Sequence, residues 1–349
     1  MLADGEFGRG DADSFRKRLV IVFAILGVGN VAAWAWALAD FAGQPVLLGT
    51  AVLAYSLGLR HALDADHIAA IDNVTRKLLQ DDKRPVAVGF FFALGHSAVL
   101  LLASLAVAFA ASSLIEKLTA YREVGSMVGT LASTLFLVAI ALANLAVLAD
   151  VVRALRRVRR GERVRDEDID ALLRQRGWLA RVFQPLFRFV TTSWHLFPLG
   201  FLFALGFETA SEVSLFGLAA ETSQKVSSSA ILVFPALFAA GMTLIDTLDG
   251  VLMLGAYGWA YRNPMRKLFY NAAITSISVG LALVIAGIEA LGLIAAHFRL
   301  HGVFWEGITG LNANFDELGF GIVVLFVVCW IVSIVLLHTN GYARRDGRA

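Results

Sequence analysis

The chemistry-bearing residues of this chain are concentrated in one segment, Arg60-His61-Ala62-Leu63-Asp64-Ala65-Asp66-His67-Ile68. Two imidazoles and two carboxylates make a borderline nitrogen–oxygen ligand set. Such a set suits Ni²⁺, Co²⁺, Zn²⁺ or Fe²⁺ and suits Ca²⁺ or Mg²⁺ poorly. On an uninterrupted helix, His61, Asp64 and His67 fall within an arc of about 120°. Asp66 stands about 100° beyond His67 and joins the set only through local unwinding. A salt-bridge cluster is the rival reading, because Arg60 and Asp64 are four apart and can pair. Arg60 cannot bind a cation, so it is assigned a structural role, orienting Asp64 or Asp66.

Three further segments carry polar groups within apolar surroundings. His96 follows Phe92-Ala93-Leu94-Gly95 and is a candidate fifth ligand, since Gly95 lets a neighbouring helix approach closely. Glu208 and Glu212 are four apart, and Asp246 and Asp249 are three apart, so each pair shares one helix face. Each pair reads as a cation relay, a proton site or a partner for Arg60. His195 reads as an interfacial residue. Asn73 and Asn144 receive no assignment.

The elements that hold these residues are membrane spans. Of 349 residues, 58% are hydrophobic, more than a soluble chain of this length needs for one core. Mean hydropathy is +0.70. A span needs about 20 apolar residues, and eight runs qualify: 19–41, 46–71, 86–112, 125–150, 194–220, 228–258, 270–296 and 319–338. The expected fold is an all-α integral membrane protein, a single polytopic domain over 1–349. No cleavable signal peptide is read at the start. Cys329 is the lone cysteine, which excludes an internal disulfide framework and Cys-rich metal sites. Few sulfur ligands also argue against a Cu(I) site.

Lys and Arg counts in successive loops run 4, 0, 4, 2, 11, 1, 3, 1, 3. This alternation places both termini in the cytoplasm by the positive-inside rule. Arg76 and Lys77 are counted in the cytoplasmic loop after the second span. Residues 151–193, with eleven arginines, form a basic cytoplasmic loop. It reads as a tether on anionic lipid or as a regulatory element. Residues 297–318 face outside, where His297, His301, Glu306, Asp316 and Glu317 offer at most weak metal capture. The ledger also sets the 60–68 segment toward the cytoplasmic half of its span. Glu208, Glu212, Asp246 and Asp249 then become earlier stations for an incoming ion.

Together these segments resemble the nickel/cobalt transporter family, NiCoT. Its first motif, Arg-His-Ala-x-Asp-Ala-Asp-His-Ile, is matched by residues 60–68 at every specified position. Its Leu-Gly-His-Ser core is matched by 94–97 and its Gly-Met-x-x-x-Asp-Thr-x-Asp motif by 241–249. Its Leu-Gly-x-Asp-Thr-Ala-Thr-Glu motif is similar to 205–212, with Glu208 replacing Asp and Ser211 replacing Thr. The resemblance implies a secondary permease of a bacterial cytoplasmic membrane, not an enzyme. It implies that His61, Asp64, Asp66 and His67 handle the metal. Ni²⁺ or Co²⁺ is then substrate, no cofactor is required, and the partners are the ion and membrane lipid, with no nucleic acid. Ligand type does not separate Ni²⁺ from Co²⁺, and sequence does not fix import against export. A histidine-dependent membrane metalloenzyme is the rival of another class, but His-Glu-x-x-His is absent.

Overall fold

The computed structural model describes residues 9–81, 83–109, 112–159, 190–205, 232–260, 264–315, 317–325 and 328. The described elements are helical. They are α1 (Arg9–Asp40), α2 (Pro45–His61), α3 (Ala65–Gln80), α4 (Val88–Phe109), α5 (Ser112–Arg159), α6 (Leu196–Phe203), α7 (Val233–Ala260), α8 (Pro264–Phe298) and α9 (Val303–Asn312). A single 3₁₀ turn, Ser193–His195, leads into α6.

Four helical segments are long and apolar enough to cross a membrane: Asp13–Asp40, Val88–Leu105, Val233–Ala256 and Thr275–Phe298. A fifth crossing is available if α2 and α3, bent by 51° at their junction, act as one broken span. Much of the expected spans 194–220 and 319–338, and most of the basic loop, lie outside the described residues.

Two expectations require correction. The second span is not one helix over 46–71. It breaks at residues 62–64, and its second half runs on to Gln80. Arg76 and Lys77, expected in a loop, therefore lie within α3 and are buried. Arg76 is held there by a hydrogen bond from Nη2 to Asn73 Oδ1 at 2.8 Å. Asn144 of α5 donates to the same oxygen at 2.7 Å. Lys77 donates to the Val190 carbonyl and pairs with Asp81 at 3.4 Å. Charge alone marked these residues as loop; Lys77 is buried with the Val190 carbonyl and Asp81 as partners, whereas Arg76 keeps one hydrogen bond, to Asn73, and its Nε and Nη1 are buried without one among the described residues.

The break has a local cause. Asp64 is extended (φ −62°, ψ 142°) and caps α3, its carboxylate accepting from the Ala65 N–H at 2.7 Å. Asp66, in the first turn, accepts from the His67 N–H at 2.7 Å. Carboxylates at a helix start satisfy otherwise unpaired donors and complement the helix dipole. The end of α2 tightens instead: the N–H groups of Leu63 and Asp64 donate to the carbonyls of Arg60 and His61, both at 2.9 Å.

Packing centres on α3 and α7. One buried cluster joins Phe41, Leu47, Ala51 and Ala54 to Phe234, Phe238 and Met242 of α7. A second joins Ala65, Ile68 and Ala69 of α3 to Leu137 of α5 and Ile285 and Ile288 of α8. A third joins Ile71, Val74 and Leu78 of α3 to Val88, Phe92, Leu196 and Phe203. By contrast α1 leaves Val20, Ile25, Val28 and Val31 exposed, as a lipid-facing helix does.

Two glycine crossings bring the helices close. A Cβ on Gly58 would lie 2.1 Å from the Phe238 carbonyl oxygen of α7. A Cβ on Gly95 would lie 1.9 Å from the Phe197 carbonyl oxygen at the start of α6. Small residues at such crossings let backbones touch, which matters where lipid is as apolar as the helices.

Candidate metal site

His61 ends α2, His67 stands in the first turn of α3, and His96 lies in α4. On a straight helix, His61 and His67 would be about 9 Å apart along the axis, too far to share an ion. The break folds that separation away. Ring centroids lie 4.9 Å apart for His61–His67, 4.9 Å for His61–His96 and 4.7 Å for His67–His96. One ring nitrogen from each lies within 4.8 Å of the others. Among the described residues, these three side chains meet at ligand spacing.

The arrangement fits a borderline metal ion. His61 Nε2 and His96 Nε2 are 3.1 Å apart. Two nitrogens on one ion at about 2.1 Å each stand about 3.0–3.4 Å apart at octahedral or tetrahedral angles. Without an ion, that contact is satisfied by one Nε2–H donating to the other ring. His67 Nδ1 is 3.3 Å from Asp246 Oδ2 of α7, which directs Nε2 to be the ligating nitrogen. All three imidazoles are buried, at 7%, 1% and 4% exposure. Phe92 sets its ring edge-on to His67 at 4.8 Å, and Phe238 lies 5.5 Å from His61. These rings wall the imidazoles, and the Asp246 carboxylate adjoins them through His67.

The structure thus divides the expected ligands. It gathers His61, His67 and His96. It uses Asp64 and Asp66 to restart the helix, so these aspartates build the break that brings the histidines together. Arg60 is exposed. Asp246 stands level with His67, and Asp249 lies one turn further along α7. Its neighbour Gly250 packs on Ile71 of α3, the residue before Asp72. The Asp246–Asp249 pair therefore extends from the histidines toward the polar end of α3, not toward the start of α2. Glu208 and Glu212 lie outside the described residues. His195 accepts at Nδ1 from the Thr191 N–H at 3.1 Å and stabilises the turn before α6.

Sequence reasoning missed Asp72, Asn73, Arg76 and Asn144, all buried within this helix core. Their signal was the helical spacing of Asp72, Asn73 and Arg76 beyond the motif, which the assumed end of the span concealed.

A bent membrane span, with imidazoles gathered at its break and carboxylates leading away, defines a protein that handles metal ions within the membrane. Comparison with known proteins makes the class specific. The family of high-affinity nickel-transport proteins, NicO, matches over residues 47–336. A high-affinity nickel transport protein of Cupriavidus necator is 57% identical over 335 residues, covering 96% of this chain and 95% of that one. The nickel transporter NixA of Staphylococcus aureus is 47% identical, covering 83% and 86%. The cobalt transport protein NhlF of Rhodococcus rhodochrous is 40% identical, covering 93% of each. No solved structure matches. The chain belongs to the high-affinity nickel-transport family; it is a membrane transport protein, not an enzyme.

Proposed function

We propose that this chain imports Ni²⁺ across the cytoplasmic membrane, binding it between His61, His67 and His96, with Co²⁺ as a second substrate. The observation that carries this reading is the convergence of three buried imidazoles from α2, α3 and α4. Imidazole nitrogen accepts Ni²⁺ and Co²⁺ alike, and the nickel- and cobalt-named relatives support both ions.

The ion enters along α2, sheds water at the break and is held by the three rings. Asp246 orients His67 and supplies counter-charge. Asp249 and Asp72 then offer hard oxygen partners on the way out along α3. With Arg76 and Lys77 inside α3, orientation rests on the N-terminal segment and the 151–193 loop, which hold four and eleven basic residues; with eight spans and both termini cytoplasmic, this exit faces the cytoplasm. Residues 151–193 then lie on the same side, against anionic lipid. The membrane potential drives the step, since a dication gains about 4.6 kcal/mol per 100 mV, about a thousandfold gradient.

Uptake of labelled Ni²⁺ and Co²⁺ in competition, in cells expressing the protein, tests the reading. Each ion should reduce uptake of the other, and His67→Ala should abolish both. Loss of accumulated metal relative to empty vector would overturn import, and unchanged uptake by His67→Ala would overturn the site.

A further inference from the structure

We propose that Glu289 of α8 is a proton-binding site, separate from the histidines, whose protonation is linked to metal binding at α3. Glu289 is 4% exposed within a membrane helix. A carboxyl group placed there costs about 2.5–3.5 kcal/mol when charged, and such a residue is retained for function by default. Its Oε2 lies 2.7 Å from Ser133 Oγ and 2.8 Å from Thr134 Oγ1, both on α5.

Proton bookkeeping at Ser133 carries the argument. Ser133 Oγ is also 3.1 Å from the Thr130 carbonyl oxygen. A hydroxyl has one proton and can donate to only one of these acceptors. With Glu289 ionised, Ser133 donates to the carboxylate. With Glu289 neutral, the acid donates to Ser133 Oγ, and Ser133 passes its own proton to Thr130. Thr134 donates to Oε2 in both states. The same heavy-atom positions satisfy both protonation states, so a proton can be gained or lost without repacking.

The link to α3 runs through packing. Ile285, Ala286 and Ile288, beside Glu289, share a buried cluster with Ala65, Ile68 and Ala69 of α3 and with Leu137 of α5. Ile68 adjoins His67. Between Val124 and Leu145, the described side chains of α5 carry no charge. The other elements packed on α8 bring Asp66, His67, Asp72, Arg76 and Lys77 of α3, Asp246 and Asp249 of α7, Glu306 of α9 and Glu317 beyond it. Glu306 and Glu317 are exposed, Asp66 caps α3, and Arg76 and Lys77 are bonded to Asn73 and to the Val190 carbonyl; His67, Asp72, Asp246 and Asp249 belong to the proposed metal path.

Infrared difference spectroscopy of the purified full-length protein tests the proposal, first without metal. A protonated-carboxyl carbonyl band should be present in acid, absent in alkali, and missing from Glu289→Gln. Thr134→Val, which keeps the carboxyl, should move that band's pH midpoint by about one unit and identifies the band should Glu289→Gln fail to fold. Adding Ni²⁺ near the midpoint should change the ratio of protonated to ionised Glu289 at least threefold, since linkage is reciprocal. The absence of a titrating band that responds to these variants would overturn the site. A band that titrates but ignores Ni²⁺ would overturn the link. The link rests on the transport reading, but the metal-free titration does not, so the two can fail separately.

Discussion

Replacing Asp246 by Asn tests the second layer of the site while sparing the fold. Asn has nearly the shape of Asp and keeps an oxygen that can accept from His67 Nδ1–H. The substitution therefore removes charge and weakens orientation without opening a cavity. The 3.3 Å contact, the ring width and a metal–nitrogen bond of about 2 Å together place the ion about 7 Å from the carboxylate. At an effective dielectric constant of about 20, a dication and a carboxylate at that distance interact by about 5 kcal/mol, an upper bound before solvation offsets it. Loss of a carboxylate behind a ligating histidine costs about 10–100-fold in metal affinity, or about 1.4–2.8 kcal/mol. The expected result is that Asp246→Asn raises the KM for Ni²⁺ uptake 10- to 100-fold with normal protein in the membrane. Equilibrium binding of Ni²⁺ to purified protein should weaken by the same factor. A variant with wild-type KM and wild-type affinity would refute the claim that Asp246 acts through His67.

Other outcomes follow from the same geometry. His61→Ala and His96→Ala should each weaken Ni²⁺ binding by about a hundredfold, since four-ligand metal sites are worth about 10–16 kcal/mol, or about 3 per ligand; titration calorimetry measures this. Protons compete with metal for imidazole, so uptake at subsaturating Ni²⁺ should fall as the medium is acidified and recover at saturating metal. Gly58→Val drives a side chain into the Phe238 carbonyl and should destabilise the protein by about 1–3 kcal/mol or more, read as a lower melting temperature in detergent. Asn73→Ala removes the acceptor shared by Arg76 and Asn144 and should cost about 1–3 kcal/mol by the same assay.

The chemistry of the site was legible in the sequence, but its construction was only partly so. His61 and His67 stood out because charged and polar groups within an apolar run demand partners. His96 stood out only beside them. The break did not, because Ala62 and Leu63 are good helix formers and hydropathy carries no mark of a bend. Asp64 followed by Asp66 is nonetheless a helix-start pattern, and reading it as one would have placed the start of a new helix there. Arg76 and Lys77 misled for the opposite reason: cationic residues usually mark loops, and the partners they have inside the protein, Asn73 one turn back for Arg76 and the distant Val190 carbonyl for Lys77, are not marked by charge. Asp246 stood out as a carboxylate within an apolar run, but its place against His67 depends on how α7 crosses α3, which no single segment encodes.

The most direct test of the account is Ni²⁺ flux into liposomes containing only this protein, with an imposed inside-negative potential. Wild-type protein should accumulate Ni²⁺ in proportion to the potential, and His67→Ala, equally incorporated, should not. Flux that ignores the potential, or that persists in His67→Ala, would contradict it.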